Sequence, residues 1–228
     1  MKYFSKTLIV LAAMLAGTAA LAQNMVHLNR FSEENAAIEK PADGKPVKGR
    51  VVFIGDSITE GWGNQDPDYF IPGKYFERGI SGEVTAQMLL RFRVDALALC
   101  PSIIVINAGT NDIALNQGDY NEDYTFGNII SMVELAQARK IKVILTTVTP
   151  CGAYRWRPEI TDSAEKIASL NMRLRKYAID HKMQFVDYHT FMLGPDGRSM
   201  ITDYTKDGCH PNIDGYKVME AQLDKVLK

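Results

Sequence analysis

The sequence predicts an α/β protein, a three-layer α/β/α sandwich around a parallel sheet of about five strands. Short, uninterrupted runs of apolar, β-type residues recur along the chain, each ending in a small polar or glycine-containing turn. Segments with helical patterning separate them, so strand and helix alternate. A strand that is apolar at every position has both faces buried, as in a parallel sheet covered by helices on each side.

Val51-Val52-Phe53-Ile54 is the first such run and stops at Gly55. A brief second strand ends near Gly79-Ile80. Ile103-Ile104-Val105-Ile106 stops at Asn107-Ala108-Gly109, and Val143-Ile144-Leu145 stops at Thr146-Thr147. Phe185-Val186-Asp187 is a shorter last strand. Helices are expected over about 83–99, 127–140, 162–182 and 214–227, with Asp162 and Asp214 as N-caps of the last two. The chain shows neither an internal repeat nor a low-complexity segment.

Composition narrows the class further. The 228 residues are 46% hydrophobic and 23% charged, which suits an ordinary globular domain. A net charge of -1 with interspersed signs gives no electrostatic basis for binding nucleic acid or an anionic membrane surface. Lys2 and Lys6, the apolar stretch Leu8 to Ala16 and the sequence Ala20-Leu21-Ala22 read as a signal peptide over residues 1–22. Cleavage is expected before Gln23, with export to the periplasm or beyond. The apolar stretch is shorter than the ~20 residues a membrane span needs, and no cysteine at the cleavage site marks a lipoprotein. No integral membrane segment is expected after signal removal. Residues 23–49 read as a lead-in: one short helix over Phe31 to Lys40, then the turn-rich linker Pro41 to Pro46. A single domain is expected over 50–228.

Ligands of such sheets bind outside the carboxyl ends of the strands, and the polar clusters follow that rule. Asp56-Ser57 follows the first strand, Ser81-Gly82 the second, Asn111-Asp112 the third and Pro150-Cys151 the fourth. Asp207 and His210 lie between the last strand and the last helix. Ser57 stands at a strand-to-helix turn, where a helix N-terminus favours developing negative charge. Alone, Gly55-Asp56-Ser57 reads more readily as a helix cap than as a nucleophile site. His210 alters that balance. Among the four histidines it is the one with a carboxylate three residues earlier in a glycine-containing turn, Asp207-Gly208-Cys209-His210-Pro211. Asp207 can fix the imidazole tautomer and leave the other ring nitrogen to take a serine proton. His189 is a weaker candidate base, whereas His27 and His181 need no explanation beyond solvation. The competing reading of Asp207 and His210 is a structural pair before the last helix.

Acyl transfer also needs donors for a tetrahedral oxyanion. The backbone N–H groups of Ser57 and Gly82 and the side-chain amide of Asn111 are the candidates. By itself Gly82 reads first as a turn residue, and Asn111 could be only a residue that orders its loop.

Gly55-Asp56-Ser57, Gly82, Gly109-Thr110-Asn111-Asp112 and Asp207-Gly208-Cys209-His210 together resemble the four sequence blocks of the SGNH (GDSL-type) hydrolase superfamily. They stand in the right order across residues 55–210. The chain is most similar to the small bacterial branch that resembles platelet-activating-factor acetylhydrolase catalytic subunits. That resemblance implies a flavodoxin-like sheet order, Ser57 as nucleophile, Gly82 and Asn111 as oxyanion donors, and Asp207 and His210 completing a triad. Ile58 departs from the GDSL pattern, which has Leu there. The Gly-x-Ser-x-Gly elbow of larger α/β hydrolases is absent, because Thr59 stands in place of its second glycine. Neither a phosphate-binding glycine loop nor a zinc motif is present, so no cofactor and no metal is implied.

Trp62, Tyr154, Arg155 and Trp156 belong to loops expected to border the site. There they could hold a sugar ring or simply pack the loops down. The expected substrate is a small or polymeric ester, with O-acetyl groups on carbohydrate favoured because exported members of the resembling family often remove them. A lipid or lysophospholipid acylhydrolase is the runner-up, disfavoured by the lack of a long apolar lid. A catalytically silent glycan-binding domain is the third reading. Cys151 and Cys209 are the pair to examine for a disulfide, the alternative being that Cys100, Cys151 and Cys209 are all unpaired. Nothing in the sequence specifies an oligomeric state.

Overall fold

The structure is a computed structural model and describes residues 27–227. The signal-peptide reading of residues 1–22 and its cleavage point lie outside the described residues.

Five parallel strands form one sheet: β1 (Val47–Gly55), β2 (Tyr75–Gly79), β3 (Pro101–Ile106), β4 (Lys142–Thr146) and β5 (Gln184–Val186). Their order is β2-β1-β3-β4-β5, the flavodoxin-like arrangement. Successive side chains of a strand point to opposite faces, and each face has its own core. Val52, Ile54, Ile104, Ile106, Val143 and Leu145 point to one side. There they meet α3 (Thr85–Asp95), α5 (Glu122–Gln137) and α6 (Ser163–Asp180) through Met88, Phe92, Ile129, Met132, Leu170 and Leu174. Val51, Phe53, Val105, Ile144 and Val186 point to the other side. They are covered by α2 (Ser57–Gln65), α7 (Tyr188–Met192) and α8 (Ile213–Leu227). The three expected layers are present.

Before the sheet, a short helix α1 (Ser32–Ala37) is tied to the domain by Asn35, whose amide donates to Asp95 Oδ1 at 2.8 Å. β1 starts earlier than its apolar run, because Val47 already pairs with Pro101 before a register irregularity. Several helix ends differ from expectation for local reasons. α5 starts at Glu122 because Asn121 caps it, accepting from the Tyr124 N–H at 3.1 Å, and Gly127 lies in its interior. Helix α3 stops at Asp95, and a single 3₁₀ turn at Leu97–Leu99 follows. Asn212, not Asp214, caps α8: its side chain accepts from the Gly215 N–H at 3.1 Å. Asp162 does stand at the N-cap of α6 but makes no cap bond, its carboxylate pairing with Lys166 at 2.8 Å instead.

Candidate active site

The chain runs from β1 outward to β2 on one side and from β3 to β5 on the other, so the sheet order reverses between β1 and β3. That switch point opens a crevice at the carboxyl ends of those strands. Ser57 leaves β1 there as the first residue of α2, and Asn111 leaves β3 in the short helix α4 (Thr110–Ile113).

The turn into α2 is tightly fitted. A Cβ on Gly55 would lie 2.0 Å from Thr59 Oγ1 and 2.9 Å from the Asn107 carbonyl, so any side chain collides with the facing strand end. Asp56 caps α2 by accepting from the Ile58 N–H at 2.9 Å. Its carboxyl is buried and its second oxygen has no partner among the described residues. Burial pushes that carboxyl up to about 6.

The loop before α8 brings the base. His210 Nε2 lies 2.9 Å from Ser57 Oγ, and His210 Nδ1 lies 2.6 Å from Asp207 Oδ2. The other Asp207 oxygen accepts from the backbone N–H groups of Cys209 and His210 at 2.9 and 2.8 Å. Partial burial works against ionisation of Asp207. The bonds from the His210 ring and from these two N–H groups outweigh it and hold the carboxyl at about 2. The carboxylate is thus ionised, and Nδ1–H is the tautomer it selects, leaving Nε2 free to accept from Ser57. Thr205, which sequence reasoning missed, closes the turn. Its hydroxyl donates to the His210 carbonyl at 2.7 Å and accepts from the Gly208 N–H at 3.0 Å.

Gly82 sits at φ +81°, left-handed backbone that glycine accommodates freely. The Gly82 N–H and the Ser57 N–H have no acceptor among the described residues. Asn111 is buried, and its amide donates to the Glu83 carbonyl at 3.0 Å, with no second acceptor among the described residues. The 82–83 and 111 segments therefore meet.

Behind them Arg91 is buried in a network that sequence reasoning also missed. Its guanidinium pairs with Glu83 at 2.6 Å and Asp95 at 3.4 Å, and donates to the Gly55 and Arg78 carbonyls at 3.0 and 2.9 Å. One side chain thus ties together the ends of β1 and β2 and the loop next to Gly82. Asp112 does the same for Thr85 and Thr125, accepting from both hydroxyls at 2.6 and 3.1 Å.

Two of the four expected substrate contacts are not at the rim. Trp62 is 2% exposed. Its ring stacks on Tyr69 and Tyr216, and its indole N–H donates to Glu220 at 3.0 Å. It lies one helical turn after Ile58, on the face of α2 that packs on the sheet. Tyr154 is likewise buried, its hydroxyl donating to the Thr110 carbonyl at 3.1 Å. Both are core anchors. Trp156 does reach the site, 42% exposed with its ring 5.7 Å from that of His210. Arg155 is exposed and donates to the Lys206 carbonyl at 3.0 Å, on the loop that precedes Asp207. Cys151 and Cys209 are neighbours but free thiols, as is Cys100. The approach of the Cys151 thiol, then burial, pushes the Cys209 thiol up. Among the described residues, no group of three or more His, Cys, Asp or Glu is placed to hold a metal ion, and no helix is long and apolar enough to cross a membrane.

A hydroxyl in line with an imidazole and a carboxylate, beside unused amide donors on a flavodoxin-like sheet, defines the class: a fold and site of the kind that serine-based acyl transfer requires. The GDSL-like lipase/acylhydrolase family model matches residues 53–218, and the chain belongs to that family of ester hydrolases. The crystal structure of a GDSL-like lipase from Bacteroides thetaiotaomicron is 50% identical with a TM-score of 0.84, covering 89% of this chain and 97% of that one. An acetylxylan esterase of Xylanibacter ruminicola is 26% identical over an alignment 217 residues long that covers 78% of this chain. This chain spans 43% of that enzyme's length. An acetylxylan esterase from Geobacillus stearothermophilus shares the fold at 16% identity, with a TM-score of 0.61 over 80% of this chain and 95% of that one.

Proposed function

We propose that this protein is an exported serine esterase that removes short O-acyl groups, O-acetyl foremost, from carbohydrate. The observation that carries the reading is the 2.9 Å and 2.6 Å relay from Ser57 through His210 to Asp207. Ser57 Oγ attacks the ester carbonyl carbon while His210 Nε2 takes its proton. The carbonyl oxygen becomes an oxyanion that accepts from the N–H groups of Ser57 and Gly82 and from the unused amide N–H of Asn111. Collapse expels the alcohol, which receives the proton from His210 and leaves acyl-Ser57. Water, deprotonated by His210, attacks the acyl carbon; the bond to Ser57 Oγ then breaks, His210 returns the proton to that oxygen, and the acid leaves. Asp207 stays ionised throughout and stabilises the imidazolium.

Acetyl on sugar is supported by Trp156, an exposed aromatic face against His210 on which a pyranose ring can lie. The two acetylxylan esterases among the similar proteins support the same substrate class.

The test is hydrolysis of p-nitrophenyl acetate through octanoate, with acetate release from acetylated xylan, by wild type and Ser57→Ala. Wild-type activity that favours acetyl and is lost in Ser57→Ala is expected. Equal activity of the two proteins would refute the role of Ser57, and rates that climb with chain length would point to a lipid acylhydrolase. Export is tested separately: mature protein recovered from the native host outside the cytoplasm should begin at Gln23.

A further inference from the structure

Of the residues around the crevice, Asn116 makes contacts that neither the triad nor the fold requires. Its side-chain amide donates to the Gly82 carbonyl at 3.2 Å and to Asn111 Oδ1 at 2.8 Å. Both partners are acceptors, so the nitrogen of Asn116 must face them. The Asn111 amide is fixed in turn. With its oxygen bound to Asn116, its nitrogen faces the Glu83 carbonyl and the crevice. One amide therefore touches both non-serine members of the oxyanion site.

The backbone is bent to deliver it. Leu115 lies at φ +56°, a left-handed conformation unfavourable for a bulky side chain. The Asn116 N–H bonds the Asn111 carbonyl at 3.1 Å and the Leu115 N–H bonds the Asp112 carbonyl at 3.1 Å. These two bonds form the helix-ending motif whose left-handed position usually holds glycine. Here a leucine holds it, and the next residue is thrown back over the start of the same helix turn. Strained backbone of this kind collects where a geometry is being held for function.

We infer that Asn116 is a positioning residue of the oxyanion site: it orients the Asn111 amide and holds the Gly82 segment so that both N–H groups converge on one point. The assignment rests on the esterase reading above. Removing it leaves nucleophile, base and substrate contacts in place and loosens donors that act mainly in the transition state, so the loss falls on kcat rather than KM.

The experiment compares Asn116→Ala and Asn116→Asp with wild type on p-nitrophenyl acetate, alongside thermal unfolding. Asn116→Ala is expected to lower kcat on the order of 10- to 100-fold with KM within about threefold. Asn116→Asp keeps size and shape but sets a carboxylate against two acceptors. It is expected to lose at least as much kcat as the alanine variant. A residue that only fills space predicts the reverse ranking, and that ranking overturns the proposal. So does a kcat within about threefold of wild type in either folded variant, or a loss confined to KM. Two variants that both fail to fold make Asn116 a residue of the turn alone and overturn it too. Inactive wild type refutes the esterase reading and the inference with it. Active wild type beside unimpaired variants refutes the inference only.

Discussion

Replacing Asp207 by asparagine changes one atom that faces His210 and leaves most of the turn intact. The amide oxygen can still accept from the N–H groups of Cys209 and His210, now at 2.9 and 2.8 Å. The second oxygen, 2.6 Å from Nδ1, becomes an NH₂ donor. The ground-state loss is modest. A carboxyl held at about 2 instead of 3.8 reflects roughly 2 kcal/mol in favour of the ionised form. That sum is shared among three hydrogen bonds and reduced by solvent, since the side chain is 31% exposed. The catalytic loss is larger, because an amide donor selects the tautomer with the proton on Nε2, which cannot accept from Ser57. The same carboxylate-to-amide change in a serine-protease triad costs about 10⁴ in kcat, or about 5.4 kcal/mol of barrier. Steady-state kinetics on p-nitrophenyl acetate at pH 7.5 should show Asp207→Asn slowed about 10³- to 10⁴-fold, with KM changed little and the melting temperature lowered by a few degrees. A kcat within tenfold of wild type would mean that Asp207 does not set the tautomer, and the relay would reduce to Ser57 and His210.

Three other outcomes concern the frame beneath the site. Arg91→Leu strands the buried carboxylates of Glu83 and Asp95, and urea unfolding should show a loss of about 3–5 kcal/mol. Gly55→Ala forces a methyl against the Asn107 carbonyl and Thr59, and should cost about 1–3 kcal/mol or more in the same assay. Asp56 carries the pH signature. Its folded pKa of about 6 lies above the ordinary 3.8, so its contribution is intact below pH 4 and is lost as pH rises through 6. Asp56→Asn should remove that decline, making the variant more stable than wild type at pH 8 by up to about 3 kcal/mol and closer to it at pH 4. A stability difference independent of pH would mean that Asp56 does not titrate in that range.

The sheet was readable because burial on both faces leaves uninterrupted apolar runs, and the runs at Val51–Ile54, Ile103–Ile106 and Val143–Leu145 all lie within central or near-central strands. The relay was readable because Asp207 and His210 sit in one turn, three residues apart, so local spacing fixes their geometry. Trp62 and Tyr154 were misplaced for the opposite reason. A tryptophan near a predicted rim satisfies a binding role and a core role equally. Only the i, i+4 spacing of Ile58 and Trp62 along α2 hinted at the buried face, whereas Tyr154 lies in an irregular segment with no periodicity to read. Asn116 and Arg91 escaped notice because each acts partly through partners distant in sequence. Arg91 reaches Gly55, 36 residues away, and Asn116 reaches Gly82, 34 residues away. No local pattern encodes such contacts.

Ser57 and His210 are 153 residues apart in the chain. The segment that follows His210 is also what pins the helix that begins at Ser57. The Tyr216 hydroxyl donates to the Ile58 carbonyl at 2.8 Å, and Glu220 accepts from Trp62. Seating of α8 thus rests on contacts between segments 158 residues apart, the kind of pairing whose closure slows folding. On the proposed esterase reading, Ser57 gains its base only when the segment carrying Asp207 and His210 has joined the folded sheet. Return of activity during refolding would accordingly clock the arrival of that segment at Ser57, separately from any spectroscopic signal of the sheet forming.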